Sequence, residues 1–138
     1  MYDTGNGVPK DSAEAVKCRL AAEQGDVTAQ CNLGNMLYNG EGVAKDYAEA
    51  VKWCRKAADQ KDAYAQFNLG YAYYNGEGVP KDLVQAHVWW NIAGAKGHEN
   101  AKKSLAIVEE RMGSEEKIEA MKLARELFAK LPKLPKRK

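Results

Sequence analysis

Apolar residues recur along this chain with the spacing of helical faces. From Tyr47 to Gln60 they fall at Tyr47, Ala50, Val51, Cys54, Ala57 and Ala58, an i, i+3, i+4, i+7 series that lines one side of an α-helix, and Trp53 widens the stripe. A break at Lys61-Asp62 follows. A second helix is predicted from about Ala63 to Asn75, with Leu69, Ala72 and Tyr73 as its stripe. Farther along, Ser114 is a candidate N-cap for an amphipathic helix over 115–130, whose apolar residues are Ile118, Met121, Leu123, Ala124, Leu127 and Phe128. Pro132 and Pro135 end regular structure beyond it.

The helical pairs repeat. Asn39-Gly40-Glu41-Gly42-Val43-Ala44-Lys45-Asp46 returns as Asn75-Gly76-Glu77-Gly78-Val79-Pro80-Lys81-Asp82, identical at seven of eight positions and 36 residues later. The same element stands at Thr4 to Asp11, 35 residues before the first copy. Asn32-Leu33-Gly34 recurs as Asn68-Leu69-Gly70, and Ala29-Gln30 as Ala65-Gln66. A fixed period of this length means stacked supersecondary units. Asp11, Asp46 and Asp82 sit near first helical turns, where a carboxylate favours the helix dipole. Gly34 and Gly70 fall inside helices, at a cost of about 1 kcal/mol relative to alanine; a cost repeated at one site predicts close approach of a neighbouring helix. Gly40 and Gly76 suit left-handed C-caps, and Gly42 and Gly78 tighten the loop. The Gly-x-Gly pair has no preceding strand, which argues against a phosphate loop.

These residues carry a resemblance. Ala50 to Trp53, Lys56 to Ala58, Ala65 to Gly70 and Gly76 to Asp82 are similar to the motifs of the Sel-one-like repeat family, relatives of the tetratricopeptide repeats. The resemblance implies an all-α, right-handed α/α superhelical solenoid of about three helical-hairpin repeats with a C-terminal capping helix. One domain over 1–130 would hold units at about 11–45, 46–81 and 82–112 and the cap over 114–130, followed by a basic tail, 131–138. It also implies a non-catalytic scaffold or adaptor that binds a protein or peptide partner, as in family members that act as adaptors in membrane-protein quality control, secretion, signalling and bacteria–host contact. By analogy with tetratricopeptide stacks, the concave face would present Tyr64, Phe67, Tyr71, Tyr74 and Asn75 from the central unit, and Thr28, Cys31, Asn35, Tyr38 and Asn39 from the one before. A Tyr/Asn-rich set suits an interface. Tyr38, Phe67 and Tyr74 could equally be inter-repeat core, so Asn35 and Tyr71 are the stronger candidates. The set lacks a basic clamp, which disfavours recognition of a C-terminal carboxylate.

The ends of the array depart from its period. Ala86 to Ala93 resembles the variant of a final repeat. The first unit, Lys17 to Ala22, lacks one residue relative to Lys52 to Ala58, opposite Trp53, and Met1-Tyr2 align with Met36-Leu37 inside a helix. The chain therefore reads as part of something longer. Residues 1–25 are expected to be the least stable region, or to pair with a second chain, which makes a self-associating structural module the alternative function.

Composition changes this picture little. Of a formal net charge of +2, five positive charges (Lys130, Lys133, Lys136, Arg137 and Lys138) lie in the last nine residues, so the remainder is mildly acidic. That argues against nucleic-acid binding by the folded part; the tail could act as an electrostatic anchor for anionic surfaces. No apolar run reaches the roughly 18 residues of a membrane span, and no signal-peptide pattern appears. Compartment stays open between cytoplasmic and exported. Cys18, Cys31 and Cys54 are odd in number and unaccompanied by a Cys/His cluster, which points to small apolar residues rather than disulfides or zinc. His87 and His98 are the only histidines. His98 stands where the previous unit has Asp62. No triad or dyad is suggested, so no catalytic residue, cofactor or metal is expected.

Overall fold

A computed structural model describes residues 12–130. The N-terminal copy of the repeated loop (4–11), Met1-Tyr2 and the basic tail (131–138) lie outside the described residues. Seven helices follow one another without a strand among the described residues: α1 (Ala13–Glu23), α2 (Val27–Asn39), α3 (Tyr47–Asp59), α4 (Ala63–Asn75), α5 (Leu83–Ala95), α6 (Glu99–Glu110) and α7 (Ser114–Lys130). This is an all-α repeat array. α1/α2, α3/α4 and α5/α6 are hairpins, and α2 packs on α3 and α4 on α5, so each second helix is shared with the next unit.

The start of each hairpin helix is written in its N-cap. Asp26, Asp46, Asp62 and Asp82 each accept a hydrogen bond from the amide three residues on, satisfying one orphan N–H of the first turn. Ser12 does the same for α1 and His98, through Nδ1, for α6. Gly40 and Gly76 end α2 and α4 in the left-handed conformation anticipated for them. The turn inside each hairpin also needs a positive φ. Gly25 and Gly97 supply it in the outer units, while in the central one Lys61 adopts φ 73°, an uncommon conformation for a residue with a Cβ.

Two alanine-rich cores hold the stack. One joins Ala15, Ala22, Ala29, Leu33, Leu37, Val43 and Ala50; the other contains Val51, Ala57, Leu69, Trp89, Trp90, Ile92 and Val108. Adjacent residues of α3, Ala50 and Val51, thus serve different cores. The helical glycines allow the close approach their cost predicted. A Cβ on Gly34 would lie 2.7 Å from Cys54 Sγ, and one on Gly70 2.6 Å from the Trp90 ring. Buried amides repeat as well: Gln30 Nε2 donates to Ala22 O and Gln66 Nε2 to Ala58 O.

Those paired glutamines locate the irregularity of the first unit. Ala22 and Ala58, Gln24 and Gln60, and Asp26 and Asp62 all stand 36 apart in equivalent roles, and α1 is unbroken from Ala13. Cys18 is therefore the counterpart of Cys54, and Lys17 that of Trp53. The residue missing opposite Trp53 in the motif alignment is not lost inside the helix. α1 instead begins late, capped by Ser12 rather than by the residue 36 before Asp46, and has 11 residues where α3 has 13. Arg19 reaches Glu49 at 2.6 Å, tying α1 to α3, and this guanidinium, with help from the Trp53 indole, holds the Glu49 carboxyl below its usual range.

α7 packs on α5. It includes Ser114 as its first residue, and the Glu116 carboxylate accepts from the Gly113 amide just outside it. Its buried side is Ala120 and Ala124, with Leu123 and Leu127 half-buried. Ile118 and Met121, expected in the stripe, are instead 67% and 50% exposed. The small alanines let α7 lie close to α5, which rotates the larger pair outward. The side chain of Phe128 lies outside what is described.

Candidate functional site

A cleft of about 600 Å³ opens between the first two hairpins, within the range of roughly 300–1,000 Å³ typical of ligand sites. α2 contributes Asn35, Tyr38 and Asn39, the following loop Glu41, α3 a floor of Ala50, Val51 and Cys54, and α4 the wall Tyr64, Phe67, Asn68 and Tyr71. The 36-residue period explains this selection. The cleft takes the last turn of one second helix and the first turns of the next.

Of the ten residues nominated from sequence, Asn35, Tyr38, Asn39, Tyr64, Phe67 and Tyr71 come together here. Four do not. Cys31 is only 6% exposed and belongs to the core, contrary to its expected place on the groove surface. It occupies the position of Phe67, but its side chain is too short to emerge. Thr28 is exposed outside the cleft lining. Tyr74 and Asn75, counterparts of Tyr38 and Asn39, lie one unit on. Tyr74 packs against Trp90, with ring centroids 5.4 Å apart, and under Arg111. The next unit offers no matching wall, because α6 carries Asn100 and Lys103 where α4 carries Tyr64 and Phe67.

The wall is a linked aromatic system. Phe67 stacks on His98 at 4.7 Å and meets Tyr71 edge-on; both lean on Trp90, whose Nε1 donates to the Phe67 carbonyl at 3.0 Å. His98 is held by its cap bond, so its Nδ1 is an acceptor. Tyr64 and Tyr71 are the exposed members. Across the cleft Asn68 Nδ2 donates to Asn35 Oδ1 at 2.7 Å, joining α4 to α2. The Tyr38 hydroxyl donates to the Glu77 carboxylate, and burial together with that carboxylate pushes the phenol above its ordinary value. Asn68 and Glu41 were missed in sequence. Their signals were present, in the repeated Asn-Leu-Gly and in the Asn-Gly-Glu-Gly loop, but both motifs read as packing and turn.

Burial pushes all three thiols up, Cys31 to about 11 and Cys54 to about 12, with Cys18 moved in the same direction. The thiolate is the reactive form, so a raised value lowers reactivity at a given pH. Native labelling with a maleimide at pH 8 should modify half-buried Cys18 first, with Cys31 and Cys54 reacting only as fast as the fold opens. Mass mapping of the labelled sites checks the order. Among the described residues, no group of three or more His, Cys, Asp or Glu side chains is placed to hold a metal, and no helix is long and apolar enough to cross a membrane.

The Sel1 repeat profile matches residues 1–26, 27–62 and 63–98. Among solved structures, the chain is similar to c5321, a protective antigen of uropathogenic Escherichia coli strains displaying an SLR fold, at 36% identity and a TM-score of 0.83, over 85% of this chain and 25% of that one. It is also similar to a Sel1 repeat protein from Oxalobacter formigenes, at 38% identity and a TM-score of 0.66, over 77% of this chain and 44% of the other. The chain thus spans less than half the length of either. No curated protein matches.

Proposed function

The chain belongs to the Sel1 repeat family, whose members are commonly non-catalytic protein-interaction scaffolds, and we propose that it acts as an adaptor holding a segment of a protein partner in the cleft between its first two hairpins. The observation that carries this reading is the pairing of two exposed tyrosines, Tyr64 and Tyr71, with the amides of Asn35 and Asn68 over an apolar floor. Aromatic rings bury large area at small entropy cost, and amides adapt their hydrogen bonds to a peptide backbone. Peptides selected from a random display library on this chain test it. They are expected to bind the Tyr71→Arg variant, and the Asn35→Arg/Tyr71→Arg pair, at least tenfold more weakly, with helix content unchanged. Equal binding by parent and variants would remove the cleft from the function.

Val16 and Leu20, one turn apart on α1 and 45% and 56% exposed, favour self-association as the second reading. Sedimentation over a hundredfold concentration range separates the two. A constant monomer with bound peptide fits the adaptor; dimers that vanish in Leu20→Lys fit the structural module.

A further inference from the structure

Resting on the reading of the cleft as the partner site, we propose that the side chain it takes from the partner is a basic one, lysine or arginine. The lining has one charged residue, Glu41, which is exposed, and neither lysine nor arginine. Glu77 adds a second carboxylate beside Tyr38 and Asn75. An acidic side chain entering here would meet like charge and find no cation among the lining residues. A purely apolar one would cover the Asn39 amide and the Glu41 carboxylate without replacing their solvation. A basic side chain satisfies both demands. Its methylenes lie along apolar surface while its head stays wet and charged, and Tyr64, Phe67 and Tyr71 offer rings to that head. The fold uses the same chemistry elsewhere: Arg55 lies over Tyr73 and Trp89, Lys56 over Trp53, and Arg111 over Tyr74, at 5.4–6.0 Å from the ring centroids. Lys45 is placed over the ring of Tyr47, the neighbour of Tyr38, at 5.2 Å.

The test uses the whole chain, 15N-labelled, titrated with N-acetyl-arginine and N-acetyl-lysine methylamides, their neutral citrulline counterpart and N-acetyl-glutamate methylamide. The two cations are expected to shift the side-chain amides of Asn35 and Asn68 and the backbone of Tyr71, and to bind roughly three- to tenfold tighter than citrulline. Glu41→Gln should remove most of that preference and leave citrulline unchanged; raising the salt concentration should do likewise. Citrulline or glutamate binding as tightly as arginine, or an unchanged preference in Glu41→Gln, overturns the proposal. The library-selected peptides separate this failure from that of the underlying reading. Selected peptides without a basic residue that still lose affinity in Tyr71→Arg would leave the cleft as the partner site and refute only its preference for a cation. Peptides indifferent to Tyr71→Arg would refute both.

Discussion

Replacing Trp90 with alanine is expected to lower the unfolding free energy by about 3–5 kcal/mol, the cost of emptying a large aromatic site in a packed core. Trp90 is 2% exposed, abuts Phe67, Tyr71 and Tyr74, closes against Gly70 and donates to the Phe67 carbonyl. A loss of that size is a large part of the stability of a domain this small, so urea unfolding should show a much earlier midpoint or no native baseline. Trp90→Phe keeps most of the volume and loses the indole donor, and should cost only about 1–2 kcal/mol. Trp53→Ala is the contrast within the same period: half-buried on α3, it should fall well below Trp90→Ala. Equal losses at Trp53 and Trp90 would contradict the packing described. Because Phe67 and Tyr71 rest on this indole, Trp90→Phe should also loosen the cleft wall, seen as weaker binding of the selected peptides by a still-folded protein.

Gly78→Ala should be the most damaging of the loop substitutions, at roughly 2–4 kcal/mol. Its φ of +82° charges an L-residue about 1–2 kcal/mol. A Cβ there would also stand 2.4 Å from the Tyr47 carbonyl oxygen, which belongs to the first turn of α3 and cannot step aside as a side chain can. Gly25→Ala and Gly97→Ala isolate the first contribution, since their φ values are positive and nothing lies within 4 Å of the added carbon. Thermal or urea unfolding of the three variants checks the ranking. A Gly78→Ala no worse than Gly25→Ala would mean that the loop does not clamp α3.

The period, the hairpins and the tight helix crossings were legible because each is a local cost repeated in register. Gly34 and Gly70 announced their contacts by being poor helix residues in the same place twice, and Asp46 and Asp82, placed in first turns by the repeat, proved to be N-caps, whereas the same role of Asp26 and Asp62 was not read. What sequence could not supply was reach. Cys31 and Phe67 share one backbone position, yet only the ring extends into the cleft, so an analogy by position nominated both. The α7 stripe failed for a related reason: hydrophobicity ranks Ile118 and Met121 above Ala120, while close packing on α5 selects the small residue. Asn68 was invisible as a cleft residue because its motif already had an explanation in packing. The late start of α1 was not legible because the loop motif and the helix body of that unit follow periods of 35 and 36 residues, and it takes the buried Gln30–Ala22 bond and the Asp26 cap to show which one the helix obeys.

The split of α3 between two cores gives the cleft a mechanical meaning. Its floor is Ala50, Val51 and Cys54, so it runs along the seam where one core ends and the other begins. A peptide lodged there would touch both and act as a staple. With one core on each side of this seam, the empty array would give way core by core, whereas an occupied one would have to let go of its guest before either half could peel from the other. Occupancy would then set how stiff this joint of the solenoid is.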